Sequence, residues 1–480
     1  MRGGGLLFLA LALAFAACGV AGHGVHPLSR IAVHRARVAL DASAAVRASP
    51  KLLGSRYQLA NYSSGYAQSG KGTLKFQLIN QRQDFSFGLF TGGFSNPTLV
   101  AVSNKIAFAN PKAPVYPRLA LGKTWNEMTV TWTSGYDSSD ASPIVEWRME
   151  GSPPVRTTAD TATFGRGSLC APYPGQRSLQ RVVIFGDLGK AERDGSNEYQ
   201  NFQPASLNTT DAVIRDLDYT DIVFHIGDIS YANGYLSQWD QFTQQVEPIT
   251  SRVPYMLASG NHERDFPNSG SFYNGTDSGG ECGVPAATMY YVPTENRANY
   301  WYMADYGMFR FCVADSEHDW REGTEQYRFI EHCFATVDRA KQPWLIFTAH
   351  RVLGYSSGFY YSFNGAFGEP MGRQSLEPLW QRYRVDMAFY GHYHQYERTC
   401  PVHQEKCVKE GTVHVVVGGA GAYMSNFTTV APPWSVYRDM DYGYGKLTAS
   451  NETTLQFEFR RSSDGQVYDS FILHKDKQNV

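Results

Sequence analysis

Beyond its first 22 residues the sequence lacks any long apolar segment, so no later stretch is predicted to span a bilayer. It also lacks a basic stripe or an acidic tail, since 43 Lys and Arg residues nearly balance 45 Asp and Glu residues. The composition therefore gives no indication of binding to a nucleic acid polymer or an anionic membrane. There is no internal repeat and no low-complexity segment. With 480 residues, 42% of them hydrophobic, the chain is long enough for two or three packed domains.

Cysteine is scarce, with seven residues in the chain. Cys18 lies at or inside an N-terminal signal, and the remaining six allow three disulfides among 15 pairings if the chain is secreted. Proximity alone favours the pairs Cys312–Cys333 and Cys400–Cys407, leaving Cys170–Cys282. The alternative is that these residues are buried free thiols.

The N-terminus is typical of a secretory signal peptide. Arg2 precedes an apolar stretch at 6–17, which is short for a membrane span, and small residues follow it. We therefore predict a signal peptide at 1–22 and an extracellular protein without a membrane anchor, the alternative being that this stretch is itself an anchor. Five Asn-X-Ser/Thr sequons are predicted glycosylation sites, namely Asn61, Asn208, Asn274, Asn426 and Asn451.

The first third of the mature chain has β character. An N-terminal β region at 23–110 contains predicted strands at 31–40, 72–80, 84–90 and 99–108. A second segment, 111–175, has runs at 128–133 and 144–149 and is interpreted as a fibronectin-like β-sandwich. Such a sandwich needs about seven strands, and this segment offers about half of them, so we expect it to be incomplete.

From residue 180 to 480 we predict one catalytic domain of the α/β class. Short apolar runs, which are predicted strands, lie at 181–185, 221–226, 253–258, 308–314, 344–348 and 385–390. Predicted helices alternate with them at 209–217, 236–246, 324–337 and 373–383. This alternation favours helices packed around a largely buried sheet. The chain ends in further β-rich runs at 413–417, 455–460 and 468–474.

Polar residues follow five of these six runs. The sequences are Gly-Asp-Leu-Gly at 186–189, Gly-Asp-Ile-Ser-Tyr at 227–231, Gly-Asn-His-Glu at 260–263, Ala-His at 349–350 and Gly-His-Tyr-His at 391–394. Sites in α/β sheets form beyond the carboxyl ends of strands, and Gly lets the backbone turn and approach closely there. We therefore expect these side chains to meet at one sheet edge.

The residue types in these motifs suit a centre of two metal ions. Carboxylate and amide oxygens bind hard cations, imidazole binds zinc, iron and manganese, and a carboxylate can bridge two ions. Tyr231 adds a phenolate, which favours iron(III). Each motif alone has an ordinary alternative, such as a turn, a helix cap or a surface histidine, and only the ordered set is specific. Five further histidines have no partner pattern and are interpreted as structural or surface residues, namely His225, His318, His332, His403 and His414.

Together the motifs resemble those of the purple acid phosphatases, a branch of the calcineurin-like metallophosphoesterases. That family has GD-x-G, GD-x-x-Y, GNHE or GNHD, a lone His after a strand, and GH-x-H. The tyrosine distinguishes it from the serine/threonine phosphoprotein phosphatases. Stretches at 190–196, 233–242 and 350–355 are similar to long plant members described as nucleotide pyrophosphatase/phosphodiesterase-like. The resemblance implies a catalytic β-sandwich flanked by helices and preceded by N-terminal all-β modules.

The resemblance also implies a role for each site residue. Iron(III) would be held by Asp187, Tyr231 and His394. A divalent ion (zinc, manganese or iron) would be held by Asn261, His350 and His392. Asp228 would bridge the two ions, and His262 would act as a catalytic residue near substrate oxygens.

The implied function is that of a secreted acid phosphatase, which hydrolyses phosphomonoesters, nucleotide phosphoanhydrides or both through attack by metal-bound hydroxide. Its partners would be small phosphorylated substrates, and a homodimer is left open. The alternative is a weak or inactive secreted glycoprotein that keeps the fold for binding. Two features depart from the family pattern. Phe359 and Tyr360 stand where some plant relatives carry histidines, and sequence that relatives carry is missing near 54–57, after Cys170 and after Cys407.

Overall fold

The three-dimensional description of the chain is a computed structural model. It describes residues 7–13, 57–59, 69, 72–82, 84–91, 98–123, 127–136, 140, 142–148, 153–159, 179–196, 202–273, 275–294, 300–358 and 372–475. None of the helices in these ranges combines the length and the apolar character that a membrane span requires.

Two sheets form the core of the region from 180 onward. The first has six strands in the order Tyr255–Ala258, Ile222–Ile226, Gln180–Phe185, Gly443–Asn451, Thr454–Arg461 and Val467–His474. Its first three strands are parallel, and the last three are antiparallel to their neighbours. Tyr255–Ala258 and Ile222–Ile226 are buried along their whole length, and Gln180–Phe185 is buried except at Arg181, as expected for strands covered on both faces.

The second sheet has eight strands. Seven of them follow the order Tyr302–Tyr306, Phe309–Val313, Trp344–Ala349, Met387–Tyr390, Thr412–Val417, Tyr396–His403 and Lys406–Cys407. The eighth strand, Ser435–Asp439, pairs with Tyr396–His403. The four strands from Phe309–Val313 to Thr412–Val417 are mutually parallel.

The two sheets pack face to face, with helices on the outside. Phe224 of the first sheet stacks on Phe311 of the second at 4.1 Å between ring centroids, within one continuous apolar core. A second apolar cluster lies between the eight-stranded sheet and two helices. The helices of this region are Ala205–Arg215, Leu236–Thr250, Asn261–Arg264, Val284–Met289, Glu325–Ala335 and Gly372–Tyr383, with a 3-10 turn at Leu217–Tyr219. The predicted α/β class, a catalytic β-sandwich flanked by helices, is confirmed.

Local sequence explains where individual helices begin. Thr324 precedes Glu325–Ala335, and its hydroxyl accepts a hydrogen bond from the backbone N–H of Tyr327. Glu325 in the first turn and His332 in the last turn suit the helix dipole. This helix therefore starts within one residue of the sequence prediction.

A four-stranded antiparallel sheet occupies the N-terminal region. Its order is Tyr57–Leu59, Leu7–Leu13, Phe85–Thr91 and Thr98–Val102. It includes a strand from the segment interpreted as a signal peptide, and the signal peptide stays a prediction.

The strand predicted at 72–80 is not formed, and that prediction was wrong. The physical reason is that polar side chains take up its backbone groups. The N–H of Gln77 donates to the Asp194 carboxylate, and the carbonyl of Lys75 accepts from Gln58 at 2.6 Å. The strand predicted at 31–40 lies outside the described residues.

The segment 111–175 has four strands among its described residues. They form two separate hairpins, Val115–Leu121 with Met128–Thr133 and Ile144–Trp147 with Val155–Thr158. The first hairpin packs on the catalytic region, where buried Arg118 donates to the Met289 carbonyl at 2.8 Å.

Two of the three preferred disulfides are present. Cys312–Cys333 ties a strand to the following helix, and Cys400–Cys407 closes a short loop, so both predictions are confirmed. Cys282 pairs with no described cysteine, and its predicted partner Cys170 lies outside the described residues. Of the predicted glycosylation sites, Asn208, Asn426 and Asn451 are exposed, while Asn61 and Asn274 lie outside the described residues.

Candidate dinuclear metal centre

The structure brings all the predicted metal ligands together at the carboxyl ends of the parallel strands. They are Asp187, Asp228, Tyr231, Asn261, His350, His392 and His394. Because the chain turns sharply beyond each strand, several of them adopt left-handed backbone conformations. The φ values are 61° at Asp187, 48° at Asp228, 50° at Tyr231 and 66° at His392. Such sparsely populated conformations cluster at functional sites.

Glycines introduce two of the ligand loops because a side chain would not fit. A Cβ atom on Gly260 would lie 2.4 Å from Asp228 Oδ1, and one on Gly391 would lie 2.5 Å from Asp187 Oδ2. Both contacts are far inside van der Waals distance. The glycines of these motifs therefore allow the backbone to approach the carboxylates closely.

Three side chains form what we call the tyrosine half-site: Asp187, Tyr231 and His394. The Tyr231 hydroxyl lies 3.3 Å from Asp187 Oδ1 and 3.1 Å from His394 Nε2, and His394 Nε2 lies 3.3 Å from Asp187 Oδ1. The other imidazole nitrogen, Nδ1, is 2.7 Å from the Tyr423 carbonyl. This contact turns Nε2 of His394 toward the other two ligands.

Three others form the histidine half-site: Asn261, His350 and His392. The amide oxygen of Asn261 lies 3.0 Å from His350 Nε2 and 2.9 Å from His392 Nδ1. The amide nitrogen donates to Asp277 at 3.0 Å, which orients the oxygen toward the histidines. Nδ1 of His350 is held at 3.0 Å from the Ile226 carbonyl. All three potential ligand atoms therefore face the same point.

Asp228 lies between the two half-sites. Its carboxylate lies close to Asp187 and His394 on one side and to His350 and His392 on the other. In each set, one potential ligand atom from each of the three residues lies within 4.8 Å of the other two. Asp228 is 2% exposed, so its charge is poorly solvated without a counter-ion. This is the placement that a bridging ligand requires.

Charges in the cluster shift the pKa values of its members. Burial and the neighbouring Asp187 carboxylate raise the pKa of Tyr231 well above its usual value. Burial opposes protonation of His350, but the Asp228 and Asp187 carboxylates outweigh it and raise the pKa of His350 to about 10. In the absence of a cation these groups therefore hold protons that a bound metal would displace.

His262 lies at the edge of the cluster. Its Nε2 is 3.9 Å from Asp228 Oδ2, and its Nδ1 is 3.0 Å from the side-chain oxygen of Asn233. An amide oxygen only accepts hydrogen bonds, so Nδ1 carries a proton and Nε2 faces the site. Asn233 was missed by the sequence analysis, although it lies two residues after Tyr231 in the second motif.

Glu263 was also missed, although it ends the third motif. Its buried carboxylate accepts hydrogen bonds from the backbone N–H groups of Asp228, Ile229 and Gly260 at 2.8–3.0 Å. It therefore ties two ligand loops together rather than facing the metal cluster.

Arg351, directly after His350, extends the polar network. Its guanidinium donates to the buried Glu317 carboxylate at 2.8 Å and stacks on the Tyr273 ring at 3.8 Å. The histidines without a partner pattern lie elsewhere; His225 and His414, for instance, contact the hydroxyls of Tyr255 and Tyr390. Phe359 and Tyr360 lie outside the described residues.

The donor chemistry fits two metal ions. The seven predicted ligands offer carboxylate, phenol, amide and imidazole donors, and none of them is a lysine or an arginine. The two sets of residues that could each hold an ion share the Asp228 carboxylate. Such a set matches hard or borderline first-row metals at two adjacent positions. The residues present therefore fit the dinuclear centre that the motifs predict.

Family models match three parts of the chain. The calcineurin-like phosphoesterase domain matches residues 180–396, and the iron/zinc purple acid phosphatase-like protein C domain matches 411–470. An Fn3-like domain from purple acid phosphatase matches 31–110. This last match precedes 111–175, for which the sequence analysis predicted a fibronectin-like sandwich, and that assignment stays a prediction.

Sequence relatives carry related names. A probable inactive purple acid phosphatase 27 from Arabidopsis thaliana is 57% identical, covering 88% of this chain and 80% of the relative. A nucleotide pyrophosphatase/phosphodiesterase from Hordeum vulgare is 63% identical, covering 67% of this chain and 92% of the relative.

A third relative reveals a difference in length. The probable inactive purple acid phosphatase 1 from Arabidopsis thaliana is 51% identical over 577 positions, covering 96% of this chain and 94% of the relative. Because this chain has only 480 residues, at least 97 of the 577 positions have no counterpart in it. The places of the missing segments stay as predicted from the sequence.

A solved structure matches nearly the whole chain. The purple acid phosphatase PPD1 from yellow lupin seeds superposes with a TM-score of 0.87 at 52% identity, covering 98% of this chain and 91% of that one. The fold, the converging ligand set and these matches agree with one another. The chain belongs to the purple acid phosphatases, a metal-binding family of the calcineurin-like phosphoesterases, and within it resembles the long plant members.

Proposed function

We propose that this chain is an active dinuclear hydrolase of phosphomonoesters, nucleotide phosphoanhydrides or both. The observation that carries the proposal is the completeness of the metal cluster. All seven ligand side chains are present, and the two groups share the Asp228 carboxylate. A cluster with this geometry suits the in-line displacement of a phosphoryl group.

The proposed cofactors are one iron(III) and one divalent ion, which is zinc, manganese or iron. Iron(III) is assigned to the tyrosine half-site because that set offers a carboxylate and a phenolate, both hard anionic donors. The divalent ion is assigned to the neutral donors of the histidine half-site. When bound, the two metals supply an activated water and positive charge for the phosphoryl oxygens.

The residues of the chain perform the remaining tasks. When both ring nitrogens carry protons, His262 is placed to donate the proton on Nε2 to the leaving-group oxygen as the phosphorus–oxygen bond breaks. Asn233 keeps that nitrogen facing the site through its contact with Nδ1. The buried Asp228 carboxylate stays ionised because His350 and His262 outweigh the effect of burial and hold its pKa well below the usual value.

Small phosphorylated molecules are the proposed substrates. Support for the nucleotide class comes from the Hordeum vulgare relative, whose name is nucleotide pyrophosphatase/phosphodiesterase and which is 63% identical. Secretion is proposed as well. It is supported by the two disulfides, which persist in oxidising compartments, and by the exposed sequon residues Asn208, Asn426 and Asn451.

The competing proposal is a weak or inactive glycoprotein that keeps the fold for binding. Three Arabidopsis thaliana relatives, 57%, 57% and 51% identical, are named probable inactive purple acid phosphatases. The positions without a counterpart in this chain add support to this alternative, because two of the three predicted gaps, near 54–57 and after Cys170, would shorten the β structure that precedes the catalytic region.

One experiment separates the two proposals. The protein is purified from the medium of a eukaryotic secretion host, its metal content is measured, and hydrolysis of ATP and p-nitrophenyl phosphate is followed from pH 4.5 to 7.5. We expect about two metals per chain and release of inorganic phosphate. Two bound metals without any turnover would sink the hydrolase proposal and favour the inactive glycoprotein.

A further inference from the structure

An exposed aromatic side chain stands beside the metal cluster and has no part in the mechanism above. Tyr423 is 80% exposed, which makes it the most exposed large hydrophobic side chain among the described residues. Its ring centroid lies 5.2 Å from the His394 imidazole, at an interplanar angle of 78°. The ring is therefore exposed to solvent and directly contacts one side chain of the metal cluster.

The backbone of this residue is fixed on both sides by the site itself. The carbonyl of Tyr423 contacts Nδ1 of His394 at 2.7 Å. The preceding residue, Ala422, donates its N–H to the Asp187 carbonyl at 3.0 Å, and Ser425 donates to the His394 carbonyl at 2.9 Å. Both anchoring residues are metal ligands, so the position of the ring is coupled to that of the metals.

The loop has little room to move because it packs closely on its neighbours. A Cβ on Gly421 would lie 2.1 Å from the Leu188 carbonyl oxygen, and one on Gly418 would lie 2.4 Å from the Tyr393 carbonyl oxygen. With its backbone held, Tyr423 keeps only two side-chain torsions to order on binding. A rigid aromatic surface with few torsions binds planar groups at low entropic cost.

We propose that the Tyr423 ring is a stacking surface for the leaving group. It would give the site a preference for phosphate esters and anhydrides that carry a nucleobase or another planar aromatic ring. The inference rests on the proposed hydrolase function and adds to it a preference among substrates. The phosphates would lie at the metal cluster, and the attached nucleoside would extend outward to the exposed ring.

Matched substrate pairs test the proposal. ATP and inorganic tripolyphosphate share the phosphoanhydride bond, and AMP and ribose 5-phosphate share the ester bond, but only the first of each pair has a base. The readout is the ratio of kcat/KM within each pair. For Tyr423→Leu we expect each ratio to fall about tenfold, since base stacking on an aromatic ring is commonly worth that factor or more. Tyr423→Phe and Tyr423→Trp keep a stacking face and should retain the ratios.

The chain offers a matched control in Tyr219, which is 62% exposed and lies before the strand Ile222–Ile226, at the opposite end from the metal cluster. Tyr219→Leu should leave both ratios unchanged. The proposal is overturned if Tyr423→Leu leaves the ratios at the wild-type value, or if the wild type does not favour the base-bearing substrate. Metal analysis of each variant excludes an indirect effect through His394.

A second measurement keeps this inference separate from the hydrolase proposal. If the metal-loaded wild type hydrolyses none of the four compounds, the hydrolase proposal fails. Equilibrium binding of AMP and ribose 5-phosphate to the same protein then decides the stacking proposal. Tighter binding of AMP that Tyr423→Leu abolishes would support it, and equal binding of the two compounds would overturn it.

Discussion

The two halves of the metal cluster differ in the charge that their ligands can carry. The tyrosine half-site contributes a carboxylate from Asp187 and a phenol from Tyr231 that can ionise, whereas the histidine half-site contributes only neutral donors. Asp228 is common to both. With the shared carboxylate, one side can present three negative charges and the other one. This difference in ligand charge is the basis of the proposal that iron(III) occupies the tyrosine half-site and a divalent ion the histidine half-site.

Removing the shared ligand should have the largest effect because it damages both halves. Asp228→Asn takes away a buried charge that faces both half-sites, and we expect loss of both metals. Turnover should fall at least about 10⁴-fold, since enzymes of this kind accelerate reactions by 10⁶-fold or more. Metal analysis and phosphate release measure the two effects. Asp211→Asn, at an exposed ion pair with Arg193, is the matched control. Retention of one metal at full occupancy would show that Asp228 serves only one half-site.

His262→Ala should affect neither half and yet impair the reaction. Metal content and the visible absorption of the proposed iron(III) site should stay close to wild type, while kcat falls by about 10²–10⁴-fold if proton transfer is its role. The loss should be smaller for substrates with acidic leaving groups, such as p-nitrophenyl phosphate, which need no proton. His332→Ala, on an exposed helix position, provides the control. An equal loss for all leaving groups would contradict the role as a proton donor.

Tyr231→Phe should change the tyrosine half-site alone, because it removes the phenolate and leaves the ligands of the histidine half-site in place. A phenolate on iron(III) gives a visible charge-transfer band, so the variant should lose its colour and bind iron at least about tenfold more weakly. The divalent ion should remain. Tyr255→Phe, which removes a buried hydroxyl next to His225, should keep the colour. A colourless wild type filled with zinc or manganese would rule out iron(III) at the tyrosine half-site.

The smallest expected effect concerns pH and sharpens the comparison within the histidine half-site. His350 has a pKa raised to about 10, so it is protonated in the metal-free protein at neutral pH and must lose that proton to bind a metal. Burial and Arg351 lower the pKa of His392 well below its usual value, so it is already neutral. Divalent-metal affinity should therefore fall about tenfold for each unit that the pH is lowered. Chelator competition between pH 6 and 8 measures the slope, and a slope of zero would show that His350 is neutral without metal.

The ligands could be predicted because each follows an apolar run, and parallel strands deliver their carboxyl ends to one edge. The residues that orient the side chains of the site do not follow apolar runs. Asn233 and Asp277 lie in loops, and their roles depend on which atoms the fold places opposite them. The exposed ring of Tyr423 is equally invisible in sequence, because exposure depends on the whole surface.

Strands were predicted well where the sequence is almost wholly apolar and buried. They were predicted poorly where the sequence is mixed or where side chains bind the backbone groups. The runs that became Ile222–Ile226 and Trp344–Ala349 are apolar at all but one position each and are fully buried. In contrast, 72–80 alternates like a strand, but its backbone groups are taken up by side chains such as Asp194. Gly443–Asn451, which pairs with Gln180–Phe185, was not predicted because its sequence mixes glycine and polar residues with only a few apolar ones.

That last pairing has a consequence for how the protein is made. The strand Gln180–Phe185, which Asp187 follows, lies in the middle of its sheet, and one of its two neighbours, Gly443–Asn451, is about 260 residues further along the chain. A ribosome adds about 5–20 residues per second, so the first strand waits roughly 13–50 s for that neighbour. During this interval its edge is open to other chains. The metal cluster can therefore be completed only near the end of synthesis, and a chain that stops before residue 443 should fail to assemble it.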